Sequence, residues 1–478
     1  MVDQVATGRF PQALRRALIT FALAQFLCSF AGSTVNVMIS DISRDLDTTV
    51  QGVQLAITGF LLVMAVLMIP GGKLTDRFGR KRCFVAGLTL YGAGALLSSL
   101  APGLGVLVVG YSIMQGVGTA LLIPPVYILA TILFGDITSR AKAFGVISAM
   151  GGIGAATGPL IGGFITSAVS WRGAYLVQAV LALVILELGR RWVRDPLPPN
   201  TSQRFDFGGA VLSGLGLLLV VLGILAADNN LWLTLGLVLA GALILTWFFV
   251  SIRAKERAGK DVLLPTVLFR NRTSNLGLVT QNAQWLMLMG TSFVVSAYLQ
   301  VVRGYSAVGT GAVFTATTLG LLVSSLGAAR FARRRAQRTL ILAGFGITIT
   351  GILLLIGLVS ATENIWAFVP GLFVIGFGLG GMLTPSVNIV QSSFEDDLQG
   401  EISGLSRSVS NLGSSLGAAL AGTILTAGIT AAPGRSYTLA MVAVAAAGLI
   451  GLAAAALLPR GGPATLPVPP SERRAPTG

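Results

Sequence analysis

Fourteen apolar stretches, most of them twenty or so residues long, follow one another through this chain, and almost no charge falls inside them. A helix needs about 20 mostly apolar residues to cross the hydrocarbon of a bilayer. Within hydrocarbon every backbone polar group must be satisfied inside the segment, so such stretches fold as helices. Spans are expected near residues 17–39, 51–71, 83–101, 105–130, 142–168, 173–192, 208–227, 231–252, 275–301, 308–329, 338–359, 364–390, 402–428 and 437–458. The expected fold class is therefore an all-α membrane protein with 14 transmembrane helices. Only 11% of the 478 residues are charged and mean hydropathy is +0.81. A soluble chain carries about 25% charged residues, so that class is excluded.

The net charge of +15 raises nucleic acid as a partner. The placement of the charge argues against it, because the basic residues are scattered over short loops rather than gathered in one patch. Of the 33 Lys and Arg, Arg44, Arg172, Arg303 and Arg435 fall in loops on one face, and Arg407 falls within a span. The remaining 28 fall on the other face. Short loops rich in Lys and Arg stay on the cytoplasmic side. The expected placement is multi-pass in a bacterial-type plasma (inner) membrane, with both termini cytoplasmic. The first apolar stretch is long enough to span and carries no clear cleavage site. Cys28 and Cys83 lie in or beside spans and read as packing residues. No P-loop lysine motif, metal-ligand spacing or serine nucleophile elbow occurs, so neither an enzyme nor a cofactor is expected.

The segment Gly71-Gly72-Lys73-Leu74-Thr75-Asp76-Arg77-Phe78-Gly79-Arg80-Lys81-Arg82 is a dense charge cluster between two apolar stretches. It reads as a tight loop at a membrane face. Its pattern, G-x-L-x-D-R-x-G-R-K from Gly72 to Lys81, resembles the loop between helices 2 and 3 of the major facilitator superfamily. The resemblance implies that Asp76 pairs with loop arginines and meets the end of a later helix. Gly72, Asp76, Arg77, Gly79 and Arg80 would then latch one conformation. In the fifth span, Gly154, Gly158, Pro159, Gly162 and Gly163 resemble the G-x-x-x-G-P-x-x-G-G pattern of that superfamily's exporters. Glycines four apart leave a smooth helix face for close approach. Pro159 removes a backbone hydrogen bond and bends the helix. Further matches run from Asn36-Val37-Met38-Ile39 through Gln115-Gly116-Val117-Gly118 and Trp171-Arg172 to Gly404-Leu405.

The family resemblance implies two six-helix lobes, 1–192 and 275–458. The stretch 193–274 then reads as a linker with two inserted helices, and 459–478, rich in proline, as a disordered cytoplasmic tail. This layout is similar to the 14-helix drug:proton antiporter branch. The second-half counterpart of the 2–3 loop, 327–338, keeps Arg330, Arg333, Arg334, Arg335 and Arg338 but lacks the Asp.

Departures from the family pattern bear on mechanism. Ala31 stands where family exporters usually carry an Asp in helix 1, and Ser112 where helix 4 usually carries an Arg. There is no histidine, and no Asp or Glu falls near the middle of a span. A mid-membrane carboxylate is the common proton carrier, so coupling at the usual sites is expected to be atypical or absent. Glu401, at the inner start of the thirteenth span, is the candidate carrier that remains. Arg407 lies about 9 Å further along that helix. It either reaches back to headgroups, faces a cavity, pairs with Glu401 or draws an anionic substrate. Gln25, Asn36, Gln54, Thr58, Gln115, Gln178, Asn282, Gln300, Asn388, Gln391 and Asn411, with Arg407, are the candidate cavity residues; each could equally bridge two helices. The expected function is secondary-active export of hydrophobic or amphipathic small molecules by alternating access, by a monomer in contact with membrane lipids. Alternatives are translocation of lipids or lipid-linked precursors, an uncoupled facilitator, and a non-transporting sensor.

Overall fold

The computed structural model describes residues 11–134, 137–196, 205–227, 230–332, 337–394 and 398–459. Among these residues there is no strand. The helices are α1 (Gln12–Asp45), α2 (Val50–Phe78), α3 (Arg80–Ser99), α4 (Leu104–Leu133), α5 (Ile137–Ala168), α6 (Trp171–Trp192), α7 (Phe207–Leu225), α8 (Leu231–Arg257), α9 (Arg272–Val302), α10 (Ala307–Ala332), α11 (Gln337–Ala361), α12 (Phe368–Gln391), α13 (Gln399–Thr426) and α14 (Pro433–Ala456). Among the described residues, 12 are long and apolar enough to cross a membrane. The other two are α3 and α13. α3 opens on Arg80, Lys81 and Arg82, and α13 carries Glu401 and Arg407 in a run rich in Ser and Gly. Each is packed between other helices, so its polar residues are not all presented to lipid.

Helices α1 to α6 pack together, and α9 to α14 pack together. The two groups meet along two seams, α2 against α13 and α5 against α10. Helix α7 pairs with α8 and lies against both α2 and α13. There, Leu62 of α2, Val221 of α7 and Ala419 of α13 form a buried cluster, with Val66, Leu217 and Leu416 packed on it. The rest of the pair is largely uncovered: Trp232, Leu243 and Trp247 of α8 are exposed. Asp206 fixes the start of α7. Its nearly buried carboxylate accepts from Gly209 N at 2.9 Å, Lys255 Nζ at 2.6 Å and Leu263 N at 3.3 Å. It thereby caps a helix N-terminus whose free N–H groups favour an anion.

Three helices depart from regular winding. α1 contains a 3₁₀ turn at Val35–Met38, α4 a π segment at Val108–Gln115, and α9 ends in a π turn at Tyr298–Val302. Such segments recur at functional sites. Pro198 and Pro199 of the linker, the Asp228-Asn229 turn, Arg333 to Arg335, the acidic run Glu395 to Asp397 and the tail from Arg460 lie outside the described residues.

The charged segment Gly71 to Arg82 is not a loop over most of its length. Helix α2 continues to Phe78, and α3 starts at Arg80. Only Gly79 breaks the winding, at φ 97° and ψ 137°. Side chains with a Cβ rarely adopt that backbone, so the turn takes a single residue. The charges stand on the last turns of α2 and the first turn of α3. Gly79→Ala is expected to cost about 1–3 kcal/mol, read as a lower midpoint in thermal unfolding of the purified protein.

Candidate functional site

The helix ends fall into two sets. The basic end holds the α2–α3 turn, and the opposite end holds the α1–α2 and α9–α10 connections. At the opposite end the two helix groups are stitched together by amides. Gln300 Nε2 of α9 donates to Asn36 O of α1 at 2.8 Å, and its Oε1 accepts from Ser40 N at 3.1 Å. Gln54 Nε2 of α2 donates to Ala418 O and Ala419 O of α13, each at 3.0 Å. On the other seam, Val308 N donates to Ser167 Oγ at 3.2 Å. A Cβ on Gly163 would overlap the Ala307 carbonyl oxygen, and one on Gly311 would overlap that of Pro159. Backbones this close leave no passage.

The glycines of α5 therefore divide by partner. Gly154, Gly158 and Gly162 press on Phe26, Ser33 and Thr34 of α1, within one helix group. Gly163 presses on α10, across the seam. The bases at this end are mostly neutralised. Arg172 pairs with Asp45 and donates to Ala101 O at 2.9 Å, Arg44 pairs with Asp41, and Arg303 lies 3.8 Å from Glu363.

At the basic end, Asp76 pairs with Arg80 at 3.2 Å, one helical turn on. Arg77 lies over the Phe78 ring. The bond to the later helix is made by Lys73, whose Nζ lies 3.1 Å from Glu401 Oε1. Asp195, not singled out from the sequence, accepts from Arg80 N at 2.8 Å and Lys81 N at 3.3 Å, and so caps α3. Gly71 rather than Gly72 makes the close approach. A Cβ there would overlap Ala120 O, whereas one on Gly72 would rest 3.9 Å from Pro124.

The interior candidates separate into three kinds. Gln54, Gln300 and Asn282 are bridges; Asn282 Nδ2 donates to Val409 O at 3.0 Å, tying α9 to α13. Gln391 bonds Ser403 Oγ at 3.4 Å near the basic end, and Asn388 is exposed. A second set lies inside the first helix group. Gln178 Oε1 accepts from Tyr91 OH at 3.2 Å, while both amide atoms of Gln115 and the Thr58 hydroxyl are buried without a protein partner. Ser112 Oγ donates to Ala56 O at 2.7 Å and so ties α4 to α2, and Ala31 is fully buried.

The third set crosses between the groups on the basic side of the stitches. The Arg407 guanidinium of α13 lies 4.1 Å from the ring centroid of Tyr127 in α4. Tyr127 OH donates to Gln25 Oε1 of α1 at 3.3 Å, and Gln25 Nε2 donates to Ser29 Oγ at 3.2 Å. Phe144 of α5 packs on Tyr127, with ring centroids 5.6 Å apart. Arg407 thus faces the interior. It neither reaches headgroups nor pairs with Glu401, whose partner is Lys73. Asn411 stands one turn further along the same face of α13. Tyr127 was missed from the sequence because a single tyrosine in an apolar span looks like packing.

Comparison with known proteins places these features in a family. The description "Major Facilitator Superfamily" matches residues 21–269, 205–418 and 283–477. The puromycin resistance protein pur8 of Streptomyces alboniger is 33% identical over 421 residues, 87% of this chain and 82% of that protein. A probable actinorhodin transporter of Streptomyces coelicolor is 29% identical over 88% of this chain and 74% of that protein. Multidrug resistance protein Stp of Mycobacterium tuberculosis is 26% identical over 87% of this chain and 76% of that protein. Among solved structures, the peptide transporter POT superposes with TM-score 0.68 over 92% of this chain and 94% of that one, at 16% identity.

Proposed function

This chain belongs to the Major Facilitator Superfamily, on its drug-exporter-like side, and from that premise we propose that it exports hydrophobic or amphipathic small molecules by alternating access. It is a multi-pass membrane transporter rather than an enzyme. The observation that carries the finer reading is the inequality of the two ends. The opposite end is shut by Gln54, Gln300 and the Gly163–Ala307 contact. Toward the basic end α2 and α13 stay joined by the bond from Ser408 to Ala65 O and by Lys73–Glu401, and Arg407 meets Tyr127, whereas Val146 and Ile153 of α5 and Leu319 and Val323 of α10 are exposed. This supports a conformation poised to admit substrate from the basic end, with the stitches breaking when the lobes rock.

In this reading α1 to α6 and α9 to α14 are the rocking lobes, α7 and α8 are inserted between them, and all fourteen helices span. Their basic ends face the cytoplasm of a bacterial-type inner membrane, in keeping with the positive-inside rule. The neutralised arginines of the opposite end support that orientation. The protein acts as a monomer, and the energy comes from a gradient. Ala31 and Ser112 support atypical or absent proton coupling. The carboxylates among the described residues stand toward helix ends, and Glu401 is held by Lys73.

The test is the pH gradient across everted vesicles containing the protein, as radiolabelled neutral, anionic and cationic compounds are added in turn. The expected result is uptake of label with the pH gradient intact. Compound-dependent collapse of the gradient, absent from empty vesicles, would establish proton exchange and make Glu401 the carrier. No uptake of any compound would overturn export.

A further inference from the structure

Arg407 is the one Lys or Arg that falls inside an apolar span away from its ends, and no carboxylate answers it among the described residues. The nearest on its own helix, Glu401, is engaged by Lys73. What the protein supplies instead is the face of Tyr127 at 4.1 Å. A cation over an aromatic ring gains about 0.5–2 kcal/mol. That offsets little of the several kcal/mol that removing an ion from water costs. A guanidinium also has five N–H donors in a planar fork, and the ring face can satisfy few of them. The partly buried side chain therefore presents donors and charge into the space between the lobes.

From this we infer that the interior site formed by Arg407, Tyr127 and Gln25 binds an amphipathic organic anion, with its acidic group on the Arg407 guanidinium and an aromatic body against Tyr127 and Phe144. The inference rests on the export reading and names the substrate class of the same cavity. Three observations converge on it. The fork geometry of arginine matches carboxylate and phosphate. Tyr127 and Phe144, with centroids 5.6 Å apart, offer an aromatic wall beside the charge. Gln25, a turn of α1 away from Ser29, is linked to that wall through the Tyr127 hydroxyl, so its amide lies within reach of a polar group on the ligand. The same chemistry would take a dissolved aromatic carboxylate or an anionic phospholipid headgroup.

The charge also accounts for the missing proton machinery. A membrane potential does about 2.3 kcal/mol of work per elementary charge per 100 mV. An anion leaving a cell that is negative inside moves down that potential and requires no proton in exchange. A protein that exports anions can thus do without the carboxylates that Ala31 and its neighbourhood lack. A cation would meet Arg407 as a barrier.

The test uses purified full-length protein in nanodiscs of phosphatidylcholine, with pyrenebutyrate, its methyl ester and a trimethylammonium pyrene as fluorescent probes. The carboxylate is expected to bind at least tenfold more tightly than the ester, and the ammonium probe more weakly than either. Arg407→Gln is expected to erase the preference while leaving ester affinity within twofold. Arg407→Lys should retain part of it, because the charge remains without the fork. Replacing a third of the lipid with phosphatidylglycerol separates the two sources. Competition with pyrenebutyrate assigns the site to an anionic lipid, and unchanged binding assigns it to a dissolved anion. Equal affinity for carboxylate and ester in the wild type would overturn the inference. So would an Arg407→Gln variant that weakens all three probes alike, which would make the residue structural. Parallel uptake into everted vesicles keeps the two readings apart. Uptake of the ester without charge preference sinks the anion site and leaves export standing. Arg407-dependent binding of the carboxylate without uptake of any probe does the reverse.

Discussion

Gly163→Leu is expected to lower efflux at least tenfold while leaving the yield of folded protein within twofold of the wild type. The reason lies in what the new side chain would meet. A Cβ at Gly163 overlaps the carbonyl oxygen of Ala307, and that neighbour is backbone, which cannot swing aside. The contact crosses the α5–α10 seam, so α5 and α10 must part at the opposite end. Overpacking of a well-fitted contact costs about 1–3 kcal/mol, and here the cost falls on one conformation only. The conformation with that end open pays nothing. The same substitution at Gly154 meets Phe26 O of α1 inside one helix group, where no conformational change relieves it. Gly154→Leu is therefore expected to reduce folded yield rather than turnover. Size-exclusion profiles and transport by everted vesicles, measured on both variants, read the difference. Equal loss of yield in the two would show that the seam does not open there.

Gln300→Leu is expected to open the opposite end. The side chain makes two bonds across the groups, to Asn36 O and Ser40 N, and is itself buried. Leucine fills similar space and bonds neither. Each buried polar group left without a partner costs about 1–3 kcal/mol, but only while the end is shut; once it opens, water satisfies both. The two groups together cost about 2–6 kcal/mol, and every 1.4 kcal/mol changes a population ratio about tenfold, so the open-to-shut ratio should rise by about 25-fold or more. Ala307, 2% exposed, reports on the seam. With Cys28 and Cys83 replaced by Ala, the rate of maleimide labelling at Ala307→Cys should increase by that factor when Gln300→Leu is added. An unchanged rate would show that the stitch does not hold the end closed.

Helices, their order and the exporter motif were legible in the sequence because each rests on local pattern. Apolar length marks a span, and the spacing of Gly154, Gly158, Gly162 and Gly163 marks a smooth face. Which partner each glycine meets was not legible, because α1 and α10 approach neighbouring sides of the same helix, about 100° apart. The amides illustrate a second limit. A buried Gln advertises an unsatisfied group, yet Gln54 and Gln300 find backbone carbonyls and a backbone N–H of distant helices, and no side-chain pattern marks such partners. The segment Gly71 to Arg82 misled in a third way. Its charge density reads as a loop, but a helix end that projects past the apolar layer carries charge without unwinding, and only Gly79 needs the unusual backbone. Arg407 was legible as an anomaly, and its partner was not, since α4 meets α13 only once the two lobes are assembled.

Helix α7 gives the molecule a sidedness within the plane of the bilayer. By resting on Leu62 and Ala419 it walls off one flank where the lobes join. The other flank, α5 against α10, has no such cover among the described residues, and Val146, Ile153, Leu319 and Val323 are exposed along those two helices. In the export reading, a greasy compound arriving through the lipid meets the α7 wall from one direction and the bare α5–α10 seam, closed until the lobes rock, from the other. Neighbouring proteins packed on that seam would hinder its opening, whereas neighbours leaning on the wall would go unnoticed.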